Sequence, residues 1–174
     1  ISRFRDSTGR PGPASWQLGS FPDGQADFPV GGISWFEASA YANFAGKRLP
    51  TIYHWYRASN PEDLFSDILR FGNFDSQGPV KVGERPGYGP WGTLDMAGNV
   101  KEWCANATAN GRFLLGGGWN DPPYMYSDYD ARAPFADLNH HAVHAVPLRT
   151  WFTRLRELAL PQAVLEAGVL ISMP

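Results

Sequence analysis

The densest run of side chains suited to recognition lies between Trp119 and Phe135, WNDPPYMYSDYDARAPF. Trp119, Tyr124, Tyr126 and Tyr129 are interspersed there with Asp121, Asp128 and Asp130. Aromatic faces beside carboxylates suit a cationic group or a peptide. The same tyrosines could instead complete a small core while the aspartates face water, and the residues leave both readings open. Nucleophilic and metal chemistry have less to work with. Cys104 is the only cysteine, so the chain has no internal disulfide and no two-cysteine metal site. Beside Trp103 it reads first as a small buried residue and only second as a reactive thiol. His140, His141 and His144 form the run HHAVH. On a helix His140 and His144 would share a face, but the glutamate of an HExxH zinc motif is missing, and a solvated polar patch is the expectation. His54, set among Tyr53, Trp55 and Tyr56, is expected to be packed or at the surface rather than a ligand.

These side chains need elements to hold them. SWFEASAYANFAG, residues 34–46, carries the clearest helix signal. Ser34 and Glu37 have the spacing of a capping box. Trp35, Ala38, Tyr41, Ala42 and Ala45 recur near helical spacing on one face, and Gly46 is a natural left-handed stop. A second short helix is expected after Pro50, with Thr51 as its N-cap, and a third, weaker one over residues 60–69, opening at Asn60-Pro61. Residues 70–112 carry Gly or Pro every few positions and read as one long irregular stretch, of the kind that is usually functional or metal-stabilised. Phe113 to Trp119, FLLGGGW, reads as a strand whose glycines permit close backbone approach. Residues 1–29 read as a loop-rich approach anchored by Trp16, Phe21 and Phe28. RTWFTRLRELAL, residues 149–160, has the pattern of an amphipathic helix closed by Pro161.

Composition sets the outer limits. The 174 residues suit one domain with a real core. A hydrophobic fraction of 43% with 18% charged residues is an ordinary globular balance. Nineteen glycines and fifteen prolines predict many turns, and seven tryptophans supply burial in spite of them. The formal net charge of −2 offers no basic face for nucleic acid. No apolar run approaches the roughly 20 residues of a membrane helix. The cysteine usage leans towards a cytoplasmic setting.

Three stretches, taken in order, resemble the formylglycine-generating-enzyme family, also called sulfatase-modifying-factor domains. They are PVGGISWFEASAYANFAGKRLPT (residues 29–51), GPWGTLDMAGNVKEW (residues 89–103) and FLLGGGW (residues 113–119). The third is similar to the family's Arg-Gly-Gly-Ser-Trp block, and the resemblance is greatest to domains of this family attached to bacterial serine/threonine kinases. It implies an α+β fold of the C-type-lectin-like kind, low in regular structure, with two short helices packed on a small twisted antiparallel sheet among long loops. It also implies a domain over residues 1–135, with the family's N-terminal strands lying outside it. Residues 136–174 would form an atypical C-terminal extension, because the family's closing Gly-Phe-Arg strand has no counterpart there. Such a departure is expected to lower stability by exposing sheet edges.

The resemblance also frames the function. Aerobic family members oxidise a sulfatase cysteine to formylglycine with copper held by two cysteines. Related domains help build an iron site in ergothioneine synthases, and others are binding proteins diversified by retroelements. Counted from Trp119, the two copper-binding positions fall near Tyr126 and Ala131, neither of which is a thiol. Soft Cu(I) selects thiolates, so no copper is expected and no catalytic residue is assigned. The family's structural calcium implies one site formed by the Asp95 and Glu102 carboxylates with the Gly98 and Val100 carbonyls, an oxygen set of the kind calcium takes. A second site would use Asn73 and the Phe74 carbonyl. The cleft that the catalytic site would occupy maps to Trp119, Tyr124, Tyr126, Asp128, Tyr129 and Asp130. The expected function is therefore a calcium-stabilised, non-catalytic binding or sensor domain for a peptide or small molecule, with a covalently linked kinase domain as its expected neighbour. Two alternatives remain: a copper- or iron-dependent oxidase or partner domain, and a retroelement-diversified binder.

Overall fold

The computed structural model describes residues 5, 7–59, 70–87, 89, 91–107 and 111–126. The helix expected over 60–69, the HHAVH run, the helix at 149–160 and the whole extension at 136–174 lie outside these residues, as do Asp128, Tyr129 and Asp130. Helix α1 spans Trp35–Phe44, helix α2 Ile52–Ser59, strand β1 Glu102–Ala107 and strand β2 Arg112–Leu115, followed by a 3-10 turn at Pro123–Tyr126. Over the described residues the architecture is α+β, with two short helices against a two-stranded antiparallel sheet.

Both ends of α1 are fixed by local chemistry. Ser34 Oγ accepts from the Glu37 amide, and the Glu37 carboxylate accepts from the Ser34 amide at 2.8 Å. At the other end Gly46 sits at φ +69°. Its N–H reaches Asn43 O, and Lys47 N–H reaches Ala42 O at 2.8 Å, the paired bonds of a Schellman stop. The face predicted to be buried is partly so: Ala38 and Ala42 are inside, whereas Trp35, Tyr41 and Ala45 are half-buried. Helix α2 begins on Thr51, whose Oγ1 accepts from the His54 amide at 3.3 Å while His54 Nδ1 accepts from the Thr51 amide at 3.3 Å. Here histidine fills the reciprocal role that Glu or Gln plays in a capping box. Asn106 Oδ1, reaching over from β1, accepts from the Ile52 amide at 2.9 Å.

The sheet departs from the sequence expectation twice. Glu102–Ala107 lies in the stretch read as irregular, yet it forms β1. Its β-branched content is nil and its neighbours are glycine-rich; it becomes a strand because β2 offers a partner and its side chains have two cores to enter. The strand expected over 113–119 is shorter, ending at Leu115. Gly116 at φ +93° and Gly117 at φ +72° turn the chain out of extended geometry.

Strand alternation sorts side chains into two cores. Trp103 and Leu114 face one another in register and join Ile33, Ala38, Ala42 and Leu49. Cys104 and Leu115 point the other way, to Trp55, Ala58, Met96, Ala97 and Tyr126. Indole N–H groups tie the layers together: Trp35 Nε1 donates to Cys104 O at 2.9 Å and Trp103 Nε1 to Ile33 O at 3.2 Å. An indole N–H taken out of water needs such a partner. In the N-terminal stretch Trp16 packs edge-on against Phe21 at 6.5 Å.

Candidate calcium loop and ligand face

The loop leading into β1 is bent by three left-handed residues, Asp95 at φ +54°, Gly98 at φ +77° and Asn99 at φ +63°. Aspartate and asparagine tolerate this region because short polar side chains bond locally. Asp95 Oδ2 accepts from the Gly83 amide at 2.8 Å. Gly98 N–H reaches Gly116 O at 2.8 Å, and Asn99 N–H reaches Asn73 O at 2.8 Å. Gly98 also forms a parallel bridge with Asn73.

Asn99 is the residue that sequence reasoning missed. Its side chain is fully buried. Asn99 Oδ1 accepts from the Val80 amide at 2.9 Å and from Asn73 Nδ2 at 3.3 Å, and Asn99 Nδ2 donates to Val80 O at 3.2 Å. Its carbonyl accepts from the Trp119 amide at 2.8 Å. One amide thus holds the 73–80 loop, the β1 approach and the Gly-Gly-Gly-Trp turn together. The available signal was Gly98-Asn99, a pair suited to consecutive left-handed positions.

The residues implied for calcium are placed as follows. Asp95 and Val100 are half-buried and Gly98 is buried within the same tight loop. Glu102 starts β1, is 6% exposed, and accepts a hydrogen bond from Trp55 Nε1. A buried carboxylate is costly unless hydrogen-bonded, paired or metal-bound. Its charge is felt nearby: the Cys104 thiol is pushed up first by burial and then by Glu102. Tyr126 is pushed up to about 12, chiefly by burial, with Ser59 lowering and Glu102 raising it. Asn73 Nδ2 donates to Gly78 O at 3.0 Å, while its buried Oδ1 has no hydrogen-bond partner among the described residues. Phe74 packs its ring against the core that contains Trp55. Among the described residues there is no group of three or more His, Cys, Asp or Glu that could hold a metal. The two carboxylates bond different partners, Asp95 the Gly83 amide and Glu102 the Trp55 indole; carboxylates with backbone oxygens are donors of the type calcium takes and a soft metal does not.

The candidate ligand face is divided by the structure. Tyr124 is 65% exposed and Trp119 is half-buried. Tyr126 is only 2% exposed and packs on Trp55 at 5.9 Å. It was expected in the cleft; it is a core residue, because the 3-10 turn carries its ring under α2. Asp121, in the same acidic run, is an internal fastener: its Oδ2 accepts from the Gly118 amide at 2.8 Å and pairs with Lys101 Nζ at 2.9 Å. Cys104 is fully buried in the same core, as its first reading anticipated.

A capped α1, a capped α2, a glycine-bent loop running into β1 and a Gly-Gly-Gly-Trp turn after β2 together define one class of domain. The sequence profile of the sulfatase-modifying factor enzyme 1-like domain matches residues 6–141, and the chain belongs to that family. It is 41% identical over 91 residues to the serine/threonine-protein kinase pkn1 of Chlamydia caviae, covering 47% of this chain and 14% of the kinase. It is 33% identical over 108 residues to the formylglycine-generating enzyme of Streptomyces coelicolor, covering 48% of this chain and 33% of that enzyme. It is 30% identical over 131 residues to the inactive C-alpha-formylglycine-generating enzyme 2 of Bos taurus, covering 61% of this chain and 43% of that protein. The chain therefore spans less than half the length of each of these relatives, among them kinases that contain such a segment within a much longer polypeptide.

Proposed function

We propose that this chain is a non-catalytic ligand-binding or sensor domain of the C-type-lectin-like kind, stabilised by calcium and carried in a larger protein such as a kinase. The observation that carries the reading is the position of Tyr126. Near the position where the resemblance would place a copper-binding thiolate, a tyrosine is packed into the core, and the one cysteine lies buried on β1. Similarity to kinases and to a relative described as inactive supports the same view. The ligand would meet Trp119 and Tyr124, joined by Asp128, Tyr129 and Asp130, and would be a peptide or small molecule bearing a cationic group. Asp95, Gly98, Val100 and Glu102 would hold one calcium, and Asn73 with the Phe74 carbonyl would contribute to a second. The ion would neutralise carboxylates in the bent loop and stiffen it. Metal analysis of the purified chain, with melting curves in calcium and in chelator, tests the proposal. Bound calcium and a midpoint lowered by chelator are expected. Stoichiometric copper or iron would overturn it in favour of an oxidase or partner domain.

A further inference from the structure

Away from this face, a groove of about 360 Å³ opens between α1, the start of α2 and β1. That volume is within the roughly 300–1,000 Å³ of small-molecule sites. Its apolar wall is Trp35, Leu49 and Ala105, and its polar side is Arg48, His54, Asn43, Ser39 and Thr51. No carboxylate is among these residues.

The polar side is uniformly able to donate. His54 Nδ1 accepts from the Thr51 amide, so in the neutral ring Nε2 carries the proton. That nitrogen lies on the side of the ring away from the helix cap. Arg48 is exposed at the rim and holds no ion pair with a described residue. Its guanidinium offers a planar fork matched to an oxyanion. The amide of Ile52 at the tip of α2 is already taken by Asn106, so the helix end is not what makes the groove attractive to anions. The wall is aromatic and rigid: Trp35 is fixed by its bond to Cys104 O, and the Arg112 guanidinium lies 3.9 Å from the ring centroid.

We infer that this groove is a second binding site, for a carboxylate carried on an aromatic or branched apolar body. Arg48 receives the carboxylate, His54 and Asn43 add donors, and Trp35 with Leu49 cover the body. The site uses none of residues 119–130, so it stands or fails independently of the ligand face proposed above.

The test titrates the full chain with N-acetyl-phenylalanine, its uncharged amide, 3-phenylpropionate and inorganic phosphate, read by calorimetry and by the tryptophan indole N–H signals. One charge-assisted fork is worth roughly tenfold or more in affinity. The two acids are therefore expected to bind at least tenfold more tightly than the amide, and phosphate no more tightly than the amide. The relative affinity of the two acids separates a peptide C-terminus from a free small acid as the source of the carboxylate. Arg48→Gln is expected to erase the preference for acid over amide while leaving the melting midpoint unchanged, because the side chain is exposed. Equal binding of acid and amide, an unaltered preference in Arg48→Gln, phosphate as tight as the acids, or no binding by either acid would each overturn the inference.

Discussion

Gly98 is where backbone conformation, close packing and the candidate calcium loop coincide, and Gly98→Ala is the sharpest perturbation of all three. Gly98 sits at φ +77°, and an added Cβ would stand 2.5 Å from Asn73 O and 2.8 Å from Asn73 N and C. These are backbone atoms and cannot rotate aside. Relief needs a displacement of about 0.9 Å to restore an ordinary contact, enough to break the 2.8 Å bond from Asn99 N–H to Asn73 O. Left-handed alanine costs about 1 kcal/mol, and overpacking a closed site typically adds about 1–3 kcal/mol. The expected loss is about 3 kcal/mol, or roughly 6–12 °C in melting midpoint for a chain of this size. Gly46→Ala is the internal control. Gly46 has φ +69°, but nothing lies within 4 Å of its added Cβ, so only the conformational cost of about 1 kcal/mol applies. Urea unfolding followed by tryptophan fluorescence measures both variants. If Gly98→Ala costs no more than Gly46→Ala, the tight Asn73–Gly98 apposition is refuted.

Other outcomes follow from the buried carboxylate and thiol. Trp55→Phe keeps a ring in the core but leaves Glu102 without its indole donor, and is expected to cost about 3 kcal/mol in urea unfolding; a loss below about 1 kcal/mol would mean that the bond is not made in solution. Cys104 is expected to resist a thiol reagent at pH 8 in the folded chain and to react as one equivalent in denaturant, because burial and Glu102 both hold the proton on sulphur; rapid native labelling would contradict this. Tyr126 ionises at about 12 in the fold against its ordinary 10.0. The unfolded chain therefore releases this proton first as pH rises, so the stability tied to neutral Tyr126 is intact below pH 10 and is lost between pH 10 and 12. A flat urea midpoint across that interval would argue against a buried Tyr126.

Local signals were legible wherever a few neighbouring residues decide the outcome. Ser34 with Glu37, Gly46 and Thr51 marked the helix ends correctly, because caps depend on residues within one turn. The strand at Glu102–Ala107 was not legible, since its support comes from distant partners: pairing with Arg112–Leu115, the bond from Ala105 N–H to Pro50 O, and burial between two cores. Tyr126 and Tyr124 look alike in sequence, yet a turn of 3-10 helix puts one against Trp55 and leaves the other 65% exposed. Asn99 offered only the turn signal of the Gly98-Asn99 pair; its importance lies in partners at Asn73, Val80 and Trp119 that are distant along the chain.

The sequence by itself determined the family, through three ordered blocks; the two capped helices; and the lack of a second thiol for copper chemistry. These rest on residue identity and short spacing, which folding cannot alter. Only the tertiary structure decided which aromatic side chains are core and which remain for a ligand, and that β1 separates two cores. It alone brought Arg48, His54 and Trp35 around one groove. Those outcomes depend on contacts between residues tens of positions apart, whose pairing is set by the packing of the whole domain and not by any local pattern.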